Sequence, residues 1–155
     1  MLTAEHPNLI RQFFKMQVFE NFIDYTIASS HGIVAIVWEN FLQAIAEGQI
    51  PLEQQPTKAE KIRWALAVEN IIKQYHRRKT LSIEIADIWA QEGIKTYGLK
   101  GWALSTYYPK PELRECGDFD CFLGADFARG NEIAIANGAQ FDPHDYRHSH
   151  IYYKG

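Results

Sequence analysis

Cysteine is scarce. Cys116 and Cys121 are the two in 155 residues, which excludes a disulfide-stapled scaffold and suits reduced thiols in a reducing compartment. Long apolar runs are also lacking: the longest, Ile33 to Trp38, is about a third of the ~20 residues that a membrane-spanning helix requires. No bilayer span is expected. Charge of one sign is not in excess, since 16 Lys and Arg face 19 Asp and Glu for a formal net charge of −3. With no basic surplus, non-specific nucleic-acid binding is not expected. The first residues, Met1 to Pro7, lack a basic segment followed by an apolar stretch, so no secretory signal is read and the cytoplasm is the expected address. There is no internal repeat and no low-complexity tract. What remains is a composition of 46% apolar and 23% charged residues, which excludes disordered, collagen-like and coiled-coil classes. The length suits one domain able to bury ~70% of its unfolded surface.

The pattern of apolar residues divides the chain near residue 92. From Asn8 to Ile27, Ile10, Phe14, Val18, Phe22 and Tyr25 recur at helical spacing, predicting a mostly buried first helix interrupted by Ser29 to Gly32. Val34, Val37, Phe41, Leu42 and Ile45 predict a second helix that stops at Gly48. Thr57, with Glu60 three residues on, has capping-box spacing and opens a third helix. The run His76-Arg77-Arg78-Lys79 marks the positive residues favoured at a helix C-terminus. Leu81 to Trp89 fits both strand and helix periods, and helix is favoured because the run continues to Glu92 and ends at Gly93. Beyond it the elements shorten: a strand over Ile94–Leu99, a helix over Trp102–Tyr108, a strand over Asp118–Leu123, a helix over Asp126–Ala136 and a strand over His148–Tyr153. The expected architecture is α+β, with a helical region over 1–92 and an αβ core over 93–155 in one compact unit.

Two segments carry chemistry. In Gly117-Asp118-Phe119-Asp120-Cys121-Phe122-Leu123, strand alternation puts Asp118 and Asp120 on one face and Phe119, Cys121 and Leu123 on the other. Neighbouring carboxylates repel unless a cation lies between them, and hard oxygen ligands suit Mg²⁺ or Mn²⁺; a solvated edge strand with two surface acids is the competing reading. Upstream, a strand runs through Lys100-Gly101 into a short helix. Backbone N–H groups at a helix start, a glycine and a lysine can form an anion site, or the segment is an ordinary strand-to-helix turn.

Taken with their flanks, these segments resemble a known pattern. Leu99-Lys100-Gly101-Trp102-Ala103-Leu104, then Tyr107-Tyr108-Pro109, Leu113-Arg114 and Gly117-Asp118-Phe119-Asp120 match in order and spacing the "LKG-x-AL, YP, R, GD-[IF]-D" blocks of the uncharacterised nucleotidyltransferase family, within the DNA polymerase β-like superfamily. The resemblance covers about residues 94 to 124. It implies a mixed sheet flanked by helices, and a reaction in which divalent metals promote attack of a hydroxyl on the α-phosphate of a nucleoside triphosphate. Residue by residue, it puts Lys100 and Gly101 on the phosphate-cradling turn, Asp118 and Asp120 on the metal pair, and Arg114 on the arginine that precedes the aspartates, with phosphate contact and a local ion pair equally open as its role.

Active members of that superfamily generally add a third carboxylate on a later strand. His148–Tyr153 resembles the strand just before it, and after Glu132 the sequence offers Asp142 and Asp145 in a segment marked by Pro143. The third acid is therefore expected to be absent. A non-catalytic or truncated nucleotide-binding or interaction module stands as the alternative to an enzyme. The acceptor hydroxyl, the preferred nucleotide and the oligomeric state leave no mark in the sequence. His144, His148 and His150 read as exposed or locally bonded side chains before they read as metal ligands. Tyr107 and Tyr108 read as packing, and the two cysteines as core thiols.

Overall fold

A computed structural model describes residues 25–142 and 150–154; most of the expected first helix, together with Asp145, His144 and His148, lies outside them. The chain clusters into two compact units, Met1–Tyr75 with Ser105–Glu115, and His76–Leu104 with Cys116–Gly155.

In the first unit, helix α1 (Tyr25–Ser30) leads into α2 (Val34–Ala46). Val34, Val37, Trp38, Phe41 and Ala44 lie on one face of α2 and are buried with Ala28, Ile50 and Trp64. Trp64 comes from the start of α3 (Lys58–Gln91). Its indole stacks on Trp38 with centroids 5.5 Å apart and an 18° interplanar angle, and Tyr25 meets it edge-on at 5.2 Å. Such pairs add roughly 0.5–1.5 kcal/mol beyond their buried area. The returning segment is tied in by Glu115, whose Oε1 accepts the Val34 N–H at 3.3 Å. This supplies a carboxylate to the N-terminus of α2, where no local side chain caps it.

Helix α3 opens with the expected capping box. Thr57 N–H donates to Glu60 Oε2 at 2.7 Å, and Glu60 N–H donates to Thr57 Oγ1 at 3.3 Å. The helix then runs without a break for 34 residues, which corrects the expected stop at His76–Lys79. No glycine or proline falls between Thr57 and Gln91, and basic residues favour a helix end without enforcing one. The basic run is mid-helix and used for tertiary contacts: Arg78 donates to the Cys116 carbonyl, and Arg77 Nη2 donates to the Lys154 carbonyl at 3.0 Å. Gly93, at φ +79°, ends α3. Its N–H bonds the Ala90 carbonyl and the Ile94 N–H bonds that of Trp89, a pairing that needs a left-handed residue after the helix.

The rest of the second unit is built from short pieces. Strand β1 (Tyr97–Gly98) precedes the single-turn helix α4 (Trp102–Ser105), whose last residue, Ser105, already belongs to the first unit. Strand β2 (Cys121–Phe122) is followed by a 3₁₀ turn at Gly124–Asp126 and helix α5 (Phe127–Ala136), then β3 (Gln140–Asp142) and β4 (His150–Tyr152). Among the described residues the strands form two antiparallel pairs, β1 with β2 and β3 with β4, where one mixed sheet was expected. The connection from Asp142 to His150 is too short for a parallel crossover, which takes a dozen or more residues. Ile85, Trp89, Ile94, Leu123, Ala134 and Ala139 form the core. Trp89 Nε1 donates to the buried Gly130 carbonyl at 2.8 Å, and a Cβ at Gly130 would lie 2.4 Å from Leu123 Cδ1, so the leucine side chain would have to shift to admit one. Tyr153 Oη and Lys154 Nζ both donate to Glu84 on α3, holding the chain beyond β4.

Candidate functional site

The β1–β2 register builds the site. Tyr97 pairs with Phe122 and Gly98 with Cys121, and the Leu99 N–H donates to the Asp120 carbonyl at 2.8 Å, carrying the ladder one residue further. By the same count Lys100 lies across from Phe119 and Gly101 across from Asp118. The expected strand over Asp118–Leu123 is thus shorter, Cys121–Phe122, with the acidic segment leading into it.

Gly101 sits where the two backbones touch. At φ +63°, with a would-be Cβ only 2.2 Å from the Asp118 carbonyl oxygen, the position tolerates no side chain. Its missing Cβ lets the turn close on the acidic segment, a use of the glycine different from the expected access for a ligand. Helix α4 is a single turn, so little macrodipole stands behind the turn, and Lys100 is its source of positive charge. Lys100 Nζ lies 3.9 Å from Asp120 Oδ2, with 72% of its side chain exposed. Such an exposed, loose pair contributes little stability and leaves the ammonium able to turn toward an anion.

Behind the acids, Phe119 stacks on Trp102 with centroids 5.6 Å apart. Gly98 faces the same layer, where a Cβ would lie 2.8 Å from that of Ala103. Lys79 from α3 stands over the Trp102 ring at 5.8 Å. Burial pushes the Cys121 thiol up to about 11, and the charge of Asp120 adds to the shift. Cys121, half-buried against the core of this unit, is therefore a protonated thiol at neutral pH, and Cys116 is the buried cysteine.

Lys100, Gly101, Asp118 and Asp120 come together in the second unit. Arg114 belongs to the first, its guanidinium 5.9 Å from the Tyr108 ring centre. Two hard carboxylates two residues apart fit Mg²⁺ or Mn²⁺, ions that take one or two carboxylates and fill the rest of their shell with phosphate and water. Among the described residues no cluster of three or more His, Cys, Asp or Glu side chains suited to a metal occurs. Of the three C-terminal histidines His150 is described, on the exposed side of β4.

The exposed flank of this hairpin went unnoticed in the sequence: Tyr97, Leu99 and Phe122 are each more than half exposed. The alternation of Tyr97 and Leu99 ahead of Lys100 was the available signal. Tyr97 also lines an open cleft of about 590 Å³ with residues from the end of α3 and the link to β1.

The hairpin thus presents an acidic pair braced against a glycine turn that carries a lysine, on antiparallel strands among helices. The family model for uncharacterised nucleotidyltransferases matches residues 24–155, and the chain belongs to that family. No curated protein and no solved structure matches it. No described helix is long and apolar enough to cross a membrane.

Proposed function

We propose that the protein transfers a nucleoside monophosphate from a nucleoside triphosphate to a hydroxyl acceptor, with residues 93–155 as the catalytic core. The observation that carries this reading is the closure of the Lys100–Gly101 turn on Asp118, with the Lys100 ammonium beside Asp120. In the reaction the acceptor oxygen forms a bond to the α-phosphorus. The acceptor hydroxyl gives up its proton to water, the bond from that phosphorus to the bridging oxygen breaks, and pyrophosphate leaves. Asp118 and Asp120 hold Mg²⁺ or Mn²⁺, which supplies neutralisation of the triphosphate and Lewis acidity at the α-phosphate. Lys100 neutralises a phosphate oxygen and holds the chain of phosphates against the acids. Arg114, in the first unit, is the arginine of the matching block, with phosphate contact and a local ion pair both open as its role.

Among the described residues the acidic cluster is a pair, which supports a second reading, a module that binds the metal-bound nucleotide but transfers it slowly. A third carboxylate would act mainly on the nucleophile, so a site with only the pair loses turnover more than affinity.

Calorimetric titration of ATP, GTP, CTP and UTP with and without Mg²⁺ tests the shared part. Metal-dependent binding that Asp120→Asn abolishes is expected; equal affinity without metal, or binding unchanged by Asp120→Asn, refutes it. Transfer of α-labelled nucleotide to acceptors in a cell extract, against an Asp118→Asn/Asp120→Asn control, then separates enzyme from binding module.

A further inference from the structure

Residues directly opposite in an antiparallel pair project from the same face. The register therefore puts Tyr97, Phe122, Leu99 and Asp120 on one side of the β1–β2 hairpin and Gly98 and Cys121 on the other. Continued by the same count it adds Asp118 to the first side and Lys100 and Phe119 to the second, with the long Lys100 side chain bringing its ammonium round to 3.9 Å from Asp120. The second side is the packed one, where Phe119 lies on Trp102 and Gly98 against Ala103. The first leaves Tyr97 55%, Leu99 59% and Phe122 57% exposed. Aromatic rings placed across from each other usually gain by burial against a neighbouring layer; these two face outward beside a pair of carboxylates.

We infer that Tyr97 and Phe122 form the platform on which the base of the nucleoside triphosphate stacks, an assignment that rests on the function proposed above. The spacing suits it. The Tyr97–Phe122 pair lies two residues along the ladder from Leu99–Asp120, about 7 Å, and in a nucleotide the ribose bridges such a gap between base and α-phosphate. A base laid on the rings thus brings its α-phosphate over the acids, and its outer phosphates run on toward Lys100. The charge pattern agrees, with apolar rings at one end of the hairpin face and all of its charge at the other. Tyr97 also borders the cleft, where Ala86, Ala90 and Gly93 leave room beside the ring while Asp87 and Lys95 offer partners to the polar edge of a base. Its volume, about 590 Å³, is in the range of sites for small ligands. Stacking is tolerant of base identity, so all four nucleotides should bind, purines tighter than pyrimidines.

The test compares Mg²⁺-ATP with Mg²⁺-bound inorganic triphosphate, by calorimetry on the full chain. Wild type should bind ATP more tightly than triphosphate. Tyr97→Ser and Phe122→Ser should each weaken ATP about tenfold and leave triphosphate unchanged, while Tyr97→Phe keeps wild-type affinity for both; unchanged triphosphate binding also serves as the check on folding. Equal wild-type affinity for ATP and triphosphate overturns the platform and leaves the metal–phosphate site standing. So do serine variants that bind ATP like wild type, or that weaken both ligands equally. A wild-type chain that binds neither ligand refutes the proposed function, and the platform with it.

Discussion

Replacing Gly101 with alanine probes the contact on which the site depends. Two penalties add there. At φ +63° a residue with a Cβ is in the left-handed region, at a cost of about 1–2 kcal/mol. The new methyl would also lie 2.2 Å from the Asp118 carbonyl oxygen and 3.2 Å from Phe119 Cα. Both are backbone atoms that no rotamer change can move, and forced repacking of this kind costs about 1–3 kcal/mol. The sum, about 2–5 kcal/mol, is a large part of the ~5–15 kcal/mol that holds a typical protein folded, and the melting midpoint should fall by about 10 °C. Gly138→Ala is the control. It lies in the same unit at φ +90° with nothing within 4 Å of its would-be Cβ, so it carries the backbone penalty alone. Urea titration followed by far-UV circular dichroism measures both variants. Gly101→Ala should have the lower midpoint, because the close approach to Asp118 outweighs the less favourable φ at Gly138. If Gly101→Ala is no less stable than Gly138→Ala, the turn does not close on the acidic segment and the site is not built as described.

Two further outcomes follow from the titrating groups. Hydrogen bonds from Thr57 hold the Glu60 carboxyl below its ordinary value of 4.5, so its contribution is complete above that pH and fades as the pH falls through the lower folded value. The stability gap between wild type and Glu60→Gln, measured by denaturant titration from pH 7 to pH 3, should therefore narrow on acidification; a gap that is constant or widens contradicts the capping geometry. At pH 8, iodoacetamide should leave Cys121 largely unmodified in the native chain and modify it in urea, as read by mass spectrometry, because burial and then Asp120 raise its thiol to about 11. Asp120→Asn should speed the native reaction; native alkylation of Cys121 as fast as in urea would show that the thiol is neither buried nor under the influence of that charge.

Where local chemistry alone decides the structure, the sequence was legible. The capping box at Thr57 and Glu60, the stop at Gly93 and the face of α2 all follow from spacing within a few residues. The LKG and GDFD segments could be set side by side because a family pattern joined them; nothing local says that Gly101 meets Asp118. The continuity of α3 was missed because His76–Lys79 looks like a helix end by charge, while the partners that use Arg77 and Arg78, the carbonyls of Lys154 and Cys116, are far along the chain. The two sheets were misjudged for a related reason. Strands of two or three residues carry too few alternations to reveal their partners, and their pairing is decided by connection length and packing. Arg114 precedes the aspartates by only a few residues, yet the Ser105–Glu115 segment that contains it returns to the first unit, a division invisible to composition.

The four tryptophans are distributed so that the two units have separate optical signatures. Trp38 and Trp64, close and nearly parallel, form a coupled pair of chromophores whose near-ultraviolet dichroism reports the first unit. Trp102 lies against Phe119, the residue between the two aspartates, on the reverse side of the proposed binding face. Its emission should respond to a charge arriving at Asp118 and Asp120 while the exciton signal of the other pair stays constant. Ligand binding and the unfolding of each unit can thus be followed in one unlabelled sample, at different wavelengths.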